Sequence, residues 1–512
     1  MMDREILWGV SQSGFQFEMG DRFNRNLDTR SDWWKWVRDP VNLKKGLVSG
    51  DLPEEGPNNY ELYPIDHSLA KELGLNAYSL NVEWSRIFPC PTYEVEVDYE
   101  LDGNGLVKKV KITKDTLREL DDIANSAEVY HYMRVLTNLK KLGFEIVLTL
   151  VHYTHPIWLH DPIESRDTNL KNERNGWVNQ RSIIEFTKFA AYLAYKFGHL
   201  VDMWATFNEP MVMIELGYLA PYSGFPPGVI NPQLAKKAII NIINAHARAY
   251  DAIKEFDKEK SGGKSREPAQ IGIIANNVGT SYPKDPNDPR DIKAAEMTDF
   301  FHSGLLLQAL TKGNLNIEFD METMLKVNHL KRLDWIGITY YSREVVTHSE
   351  PKFQEIPITA FKGVPRYGYS CPPNELSADG HPVSDLGWEV YPEGIYNSIK
   401  VASSYGKPVY ILENGIADSK DVLRPYFIAS HIAYIERAVE AGFNVDGYFH
   451  WALTDNYEWA MGFRMRFGLY AVDMITKERI PREESVRVYR EIVKNNGITN
   501  KIKTKYLREE SI

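Results

Sequence analysis

Eight short apolar runs recur along the chain, and the residues just past their ends are the ones with chemistry to offer. Gln16 follows the first run, His152 the third and Asn208-Glu209 the fourth. Asn276-Asn277 follow the fifth, Tyr340-Tyr341 the sixth, Glu413-Asn414 the seventh and Trp451 the eighth. Taken singly, each has an ordinary explanation. A glutamate there is more often an ion-pair partner than a catalyst, a lone histidine a structural hydrogen-bonding group, and Trp451 or Trp459 a packing residue. Their joint occurrence at matching positions points to a site. Two carboxylates on runs four and seven, with amides, a histidine and aromatics at the remaining positions, suit cleavage of a glycosidic bond. One acid protonates the leaving oxygen, while the other attacks the anomeric carbon or activates water. Metal-assisted hydrolysis fits less well, because the first run has no H-x-H pair and His152 has only His155 nearby. A serine nucleophile is disfavoured by the lack of a G-x-S-x-G turn.

The elements that must position these residues repeat as amphipathic helix, glycine, apolar strand. Residues 60–73 run into Gly74, 126–142 into Gly143 and 181–197 into Gly198, and the pattern returns at Gly406 and Gly442. Glycine there supplies the left-handed cap that other residues resist. Pro392 and Pro481 read as first-turn residues of helices over 392–404 and 481–494. Strands are predicted near 6–10, 75–81, 146–152, 203–208, 271–276, 335–340, 409–412 and 446–451. Near-continuous apolar strands need cover on both faces, as in a parallel sheet flanked by helices. Eight such units predict the α/β class, a single-domain (β/α)8 TIM barrel spanning 1–512. A doubly wound sheet would want a Gly-rich phosphate turn after its first strand, and Ser11-Gln12-Ser13-Gly14-Phe15-Gln16 is not one. Two long βα-loop insertions account for the extra length: a hairpin within about 94–125, turning at Asp102-Gly103-Asn104-Gly105, and a loop over about 342–390 without helical periodicity. Asp257–Glu267 reads as a charged, solvated surface loop.

Composition excludes other classes. The chain has 512 residues, 43% hydrophobic and 25% charged, with no low-complexity tract, which rules out disorder and fibrous folds. With 60 basic and 70 acidic residues the net charge is −10, and no basic block stands out, so nucleic acid is not expected as a partner. No apolar run is long enough to span a bilayer. The two cysteines, Cys90 and Cys371, cannot build a disulfide framework, and the first residues lack the apolar segment of a secretory signal. A cytoplasmic protein is expected.

With these residues in view, the sequence resembles glycoside hydrolase family 1, and within it the archaeal β-glycosidases. The segments that carry the likeness are Ser11–Gly20, Glu83-Trp84-Ser85-Arg86-Ile87-Phe88-Pro89, Thr206-Phe207-Asn208-Glu209-Pro210, Glu413-Asn414-Gly415 and Trp451–Trp459. The resemblance covers about residues 5–490. It implies a retaining exo-β-glycosidase that works by double displacement, with Glu209 as acid/base and Glu413 as nucleophile. It further implies that Gln16, Glu458 and Trp459 hold the sugar's outer hydroxyls, and that His152 and Asn208 hold those nearest the reacting carbon. Tyr341 would bond the nucleophile and Trp451 would lie under the sugar. The substrate is expected to be a small neutral β-glucoside, β-galactoside or oligosaccharide. Relatives that take 6-phospho sugars typically carry Ser and Lys where this chain has Glu458 and Met465. The resemblance implies no metal and no cofactor, and a homo-oligomer, dimer or tetramer. A β-mannosidase or transglycosidase on the same site is the alternative, and a non-catalytic sugar-binding barrel is the reading from another class.

Four positions depart from the family pattern. Ser79 stands where an arginine usually lies near the nucleophile, and losing that cation should raise the Glu413 pKa. Thr339 replaces an asparagine, Leu412 a threonine and His155 a leucine, and each is expected to alter the bonding around the site.

Overall fold

Strands that are apolar at nearly every position must be buried on both faces, and the computed structural model, which describes residues 5–261 and 267–507, shows how this is met. Eight parallel strands close into one barrel: β1 Leu7–Ser11, β2 Ala77–Asn81, β3 Glu145–Val151, β4 Met203–Asn208, β5 Gln270–Asn276, β6 Trp335–Thr339, β7 Val409–Asn414 and β8 Val445–His450. Each strand pairs with its sequence neighbours, and β1 closes onto β8 through Gly9↔Phe449 and Val10↔His450. The predicted strands agree within two residues at every boundary.

Two apolar layers hold the barrel. Leu7, Ala77, Val147, Met203, Ala205, Ile274, Trp335, Tyr410, Leu412 and Phe449 form a closed cluster to which all eight strands contribute. Large and small residues interlock there, since a Cβ on Gly272 would sit 2.2 Å from the Trp335 ring. The opposite strand faces, including Tyr78, Leu148, Trp204, Ile273, Ile338 and Ile411, join the helices in the outer core. Helices Asn59–Glu72, Ser126–Lys141 and Arg181–Phe197 fall within one residue of the predicted spans.

Gly74, Gly143, Gly406 and Gly442 have φ between 72° and 89° and end their helices as expected, whereas Gly198 does not. It stays right-handed at φ −50°. A Cβ there would meet the Ala194 carbonyl at 2.6 Å and Asp257 at 2.8 Å, so close packing explains this glycine. Pro392 and Pro481 also differ from expectation. Pro392 is the cap before helix Glu393–Ser403, and Pro481 ends a short strand, two residues before helix Glu483–Lys494.

The first insertion forms an antiparallel pair, Tyr99–Leu101 with Val107–Val110, followed by helix Lys114–Ile123. Residues 94–98 take no part in the strands. The Asn244 amide clamps the pair to helix Pro232–Phe256, accepting from Val107 N and donating to Val107 O, both at 2.8 Å. The second insertion is more regular than its sequence indicates. Within it, Glu344–His348 and Phe361–Gly363 form a three-stranded sheet with Ser281–Pro283. Asp257 is not solvated: it is buried and accepts from the Trp204 indole at 2.8 Å, while 262–266 lie outside the described residues. Among the described residues no helix is long and apolar enough to cross a membrane.

Candidate functional site

At the C-terminal ends of the strands lies a cavity of about 410 Å³, within the range of small-molecule sites. Glu209 and Glu413 both line it. The backbone delivers them there. The β4–β5 register shifts between Ala205 and Asn208, and the β7–β8 register between Ile411 and Asn414. Such irregularities re-aim side chains at the rim of a sheet. Glu209 takes φ 44°, bonds through its N–H to the Ile274 carbonyl at 2.8 Å, and caps helix Pro210–Tyr218. The Glu413 carbonyl accepts from Tyr340 N at 2.9 Å, and the Asn414 side chain ties β7 to both neighbours through the Tyr340 carbonyl and the Tyr448 hydroxyl. Gly415 is required by close approach, since a Cβ would sit 1.8 Å from the Trp451 carbonyl oxygen.

Both carboxyls are buried and both are held by hydroxyls. Tyr341 donates to Glu413 Oε2 at 2.6 Å, and Asn208 adds a second bond to Glu413. The two oxygens of Glu209 accept from Thr339 and Tyr153. Burial raises the Glu413 pKa well above the usual carboxylate range, and the charges of Glu209 and Glu458 raise it further. No cation is among the largest influences on it. Ser79, on β2, is buried. Burial also raises Glu209, and the bonds from Thr339 and Tyr153 oppose that rise. Two buried carboxyls lining one cavity titrate as a coupled pair, which suits acid–base work.

Around them the other expected residues gather. His152, Tyr341, Trp451, Glu458 and Trp459 line the cavity. His152 stacks at 5.8 Å on Trp451 and 5.9 Å on Trp459, and burial pushes its pKa down to about 3, so the ring is neutral. Asn208 reaches His152 Nε2 at 3.3 Å. Gln16 stands behind the wall and donates to Glu458 Oε2 at 3.3 Å and to Asn456 at 3.2 Å. Burial and the Glu209 charge push Glu458 up to about 8. Trp459 lies parallel to Phe15 at 6.0 Å, which fixes the ring plane from behind.

The departures sort by location. Thr339 touches a carboxyl directly, whereas Leu412 belongs to the cluster inside the barrel. His155 does not line the cavity and is bonded to Asp32 at 3.1 Å and to the Trp177 indole at 2.8 Å. Asp32, His155 and His160 are close enough to hold a metal. Yet the indole N–H on His155 Nε2 leaves the ring proton on Nδ1, facing Asp32, so the cluster works as a hydrogen-bonded support. Sequence reasoning missed Tyr153, Tyr369 and Trp388. Tyr153 directly follows His152 at a strand end, a signal that was legible. Tyr369 and Trp388 reach the cavity from the second insertion, whose path no local pattern encodes.

The model of the family described as glycosyl hydrolase family 1 matches residues 1–99 and 121–498, and the gap between contains all of the inserted hairpin but Tyr99. A protein named β-galactosidase from Pyrococcus woesei is 64% identical over 509 residues, 99% of this chain and 100% of its own length. Among solved structures, the β-glycosidase from the hyperthermophile Thermosphaera aggregans superposes with TM-score 0.88 at 39% identity, covering 98% of this chain and 99% of its own. A β-glucosidase mutant derived from a hyperthermophilic tetrameric structure gives TM-score 0.86 at 38% identity, covering 98% of each chain.

Proposed function

Because this chain belongs to glycosyl hydrolase family 1 and is therefore a retaining β-glycoside hydrolase, we propose that Glu209 is its acid/base and Glu413 its nucleophile, acting as an exo-enzyme on small neutral β-glucosides and β-galactosides. The observation that carries this reading is the pairing of two buried carboxyls, from β4 and β7, across one aromatic-walled cavity. In the first step Glu413 attacks the anomeric carbon while Glu209 gives its proton to the leaving oxygen. In the second, Glu209 takes a proton from water, which displaces Glu413 and restores the original configuration. The Tyr341 hydroxyl steadies the attacking carboxylate. Trp451 offers an apolar face to the sugar ring, and Glu458, oriented by Gln16, accepts from its outer hydroxyls. A neutral sugar is favoured, because a carboxyl stands where a phosphate would lie and Met465 packs with Trp451 and Phe467 instead of supplying charge.

Ser79, where the family usually carries an arginine, is the observation that favours a β-mannoside preference as the second reading. The test compares kcat/KM for nitrophenyl β-glucoside, β-galactoside and β-mannoside in the wild type and two variants. Glu413→Gly should lose turnover on all three. Glu209→Ala should keep formation of the glycosyl-enzyme from these good leaving groups and recover turnover with added azide. A Glu413→Gly protein with wild-type rates, or no azide rescue, would overturn the roles. A leading mannoside rate would assign the site to mannosides, and silence of the wild type would leave a sugar-binding barrel. Assembly as a homo-oligomer is part of the proposal, supported by the tetrameric origin of one similar structure. A cytoplasmic location is supported by two free cysteines, Cys90 exposed and Cys371 buried.

A further inference from the structure

Tyr153 bonds Glu209 through its hydroxyl, so whatever holds Tyr153 in place bears on the reaction. The residue does not hold itself. It takes φ 67°, in the left-handed region that a tyrosine leaves unless its surroundings keep it there. Edge-on contacts with Trp459 at 5.0 Å and Phe225 at 5.3 Å restrain its ring. The chain that follows is restrained from elsewhere. Asp32 N–H donates to the His155 carbonyl, and Ile157 N–H to the Arg30 carbonyl, both at 2.8 Å, so residues 155–157 are zipped to 30–32.

The Asp32 carboxyl tightens this zip. Its Oδ1 accepts from His155 N at 3.0 Å, and its Oδ2 accepts from His155 Nδ1 at 3.1 Å and from His160 Nδ1 at 2.7 Å. The Trp177 indole donates to His155 Nε2 at 2.8 Å and so fixes the tautomer that points a proton at Asp32. All three side chains are buried. Burial alone would raise the Asp32 pKa, but the bonds from the two histidines outweigh it and hold it down to about 2. An ionised, buried acceptor thus anchors a residue two places from Tyr153. A leucine, the usual family residue at His155, would leave Asp32 with backbone N–H groups and His160 alone.

We propose that Asp32, His155 and His160 form a positioning unit that keeps Tyr153 in its left-handed conformation and so keeps its hydroxyl on Glu209. This rests on the acid/base reading of Glu209 above. The hydroxyl donates to the carboxylate and favours its ionised form. When the loop relaxes the bond weakens, and Glu209 keeps its proton to higher pH. The charged groups that face Glu209 are Glu413, Glu458 and Glu215, and none of them bonds the unit. Glu215 is held separately, by His302 at 2.8 Å, which bonds Glu344 in turn at 3.0 Å. A change in the unit therefore reaches Glu209 through the Tyr153 hydroxyl.

The test records kcat/KM against pH, on an aryl glycoside of poor leaving ability, for the wild type, His155→Leu, Tyr153→Phe and the double variant. His155→Leu should move the alkaline limb upward by about half a pH unit, part of what a whole hydrogen bond to a charged group is worth. In the double variant the limb should stand where Tyr153→Phe alone puts it, because the hydroxyl through which His155 acts is gone. His155→Asn, whose amide can donate to Asp32 from near the Nδ1 position, should bring the limb back. A limb unmoved in folded His155→Leu overturns the unit, even with a lower rate at every pH, which is what a merely structural role gives. Additive shifts in the double variant, or no recovery in folded His155→Asn, overturn it as well. Should His155→Leu not fold, Asp32→Asn carries the test, since it keeps the shape and removes the charge that both histidines bond. Its limb should also move upward, and an unmoved one has the same meaning. Failure of the acid/base assignment shows separately, as missing azide rescue in Glu209→Ala.

Discussion

Glu209 accepts from two hydroxyls, and a hydroxyl that donates to a carboxylate favours its ionised form. Tyr153 and Thr339 therefore oppose the burial that keeps this group protonated. An acid/base must hold its proton for the first step and release it for the second, so these two bonds set the pH at which it works. Tyr153→Phe and Thr339→Val should each move the alkaline limb of the kcat/KM profile upward by roughly one pH unit, the worth of one hydrogen bond to a charged group. The profile is read with an aryl glycoside of poor leaving ability, for which proton donation matters most. A rate loss with an unmoved limb would show that the hydroxyls only pack.

At the scale of elements, the inserted hairpin is anchored far from the chemistry. Its link to helix Pro232–Phe256 is the pair of bonds between Asn244 and the Val107 backbone, and no residue of 94–125 lines the cavity. Asn244→Ala should lower stability by about 2 kcal/mol, from two buried backbone groups left unmet. It should leave kcat/KM for a nitrophenyl glycoside within twofold of wild type, with melting and kinetics checking the two halves. A large loss of activity in a folded variant would place the hairpin in the working site. The second insertion behaves in the opposite way. Its Trp388 packs on Tyr341 at 5.3 Å and on Tyr369 at 5.3 Å, so it builds the cavity wall.

Across the whole molecule, one buried cation serves several carboxyls. Arg86 pairs with Glu18 at 2.7 Å and approaches Glu128 at 3.7 Å, with Asp28 also close enough to act. Burial pushes Glu18 up to about 7 and Glu83 up to about 8, and in Glu83 the charges of Asp28 and Glu18 add to it. An acid whose folded pKa exceeds its unfolded value binds protons more tightly when folded. Its stabilising effect is full below the unfolded value of 4.5 and is lost as pH rises to about 8. The melting temperature should therefore fall over that window, and Glu83→Gln should flatten the fall. Glutamine fits because its oxygen can accept from Phe15 N and Asn81, while its amide can donate to Thr154. A melting curve just as steep in the variant would remove Glu83 as the source.

Strand and helix positions were legible in the sequence because each is a local pattern. A strand buried on both faces is apolar throughout, and a helix that ends in a left-handed turn needs glycine, as at Gly74 and Gly143. The positions of Glu209 and Glu413 at strand ends were legible for the same reason, and the quoted motifs named the chemistry they serve. What only the tertiary structure decided are the partners of those groups. Thr339 and Tyr153 come from β6 and the end of β3, yet their hydroxyls meet on one carboxylate of β4. Gly198 looks like a cap until Asp257 is seen packed against it. The Glu215–His302–Glu344 chain joins segments that are 87 and 42 residues apart. Hydrogen bonds and burial act over a few ångströms in space, whatever the separation along the chain, so closure of the barrel had to bring these groups together before their chemistry could be read.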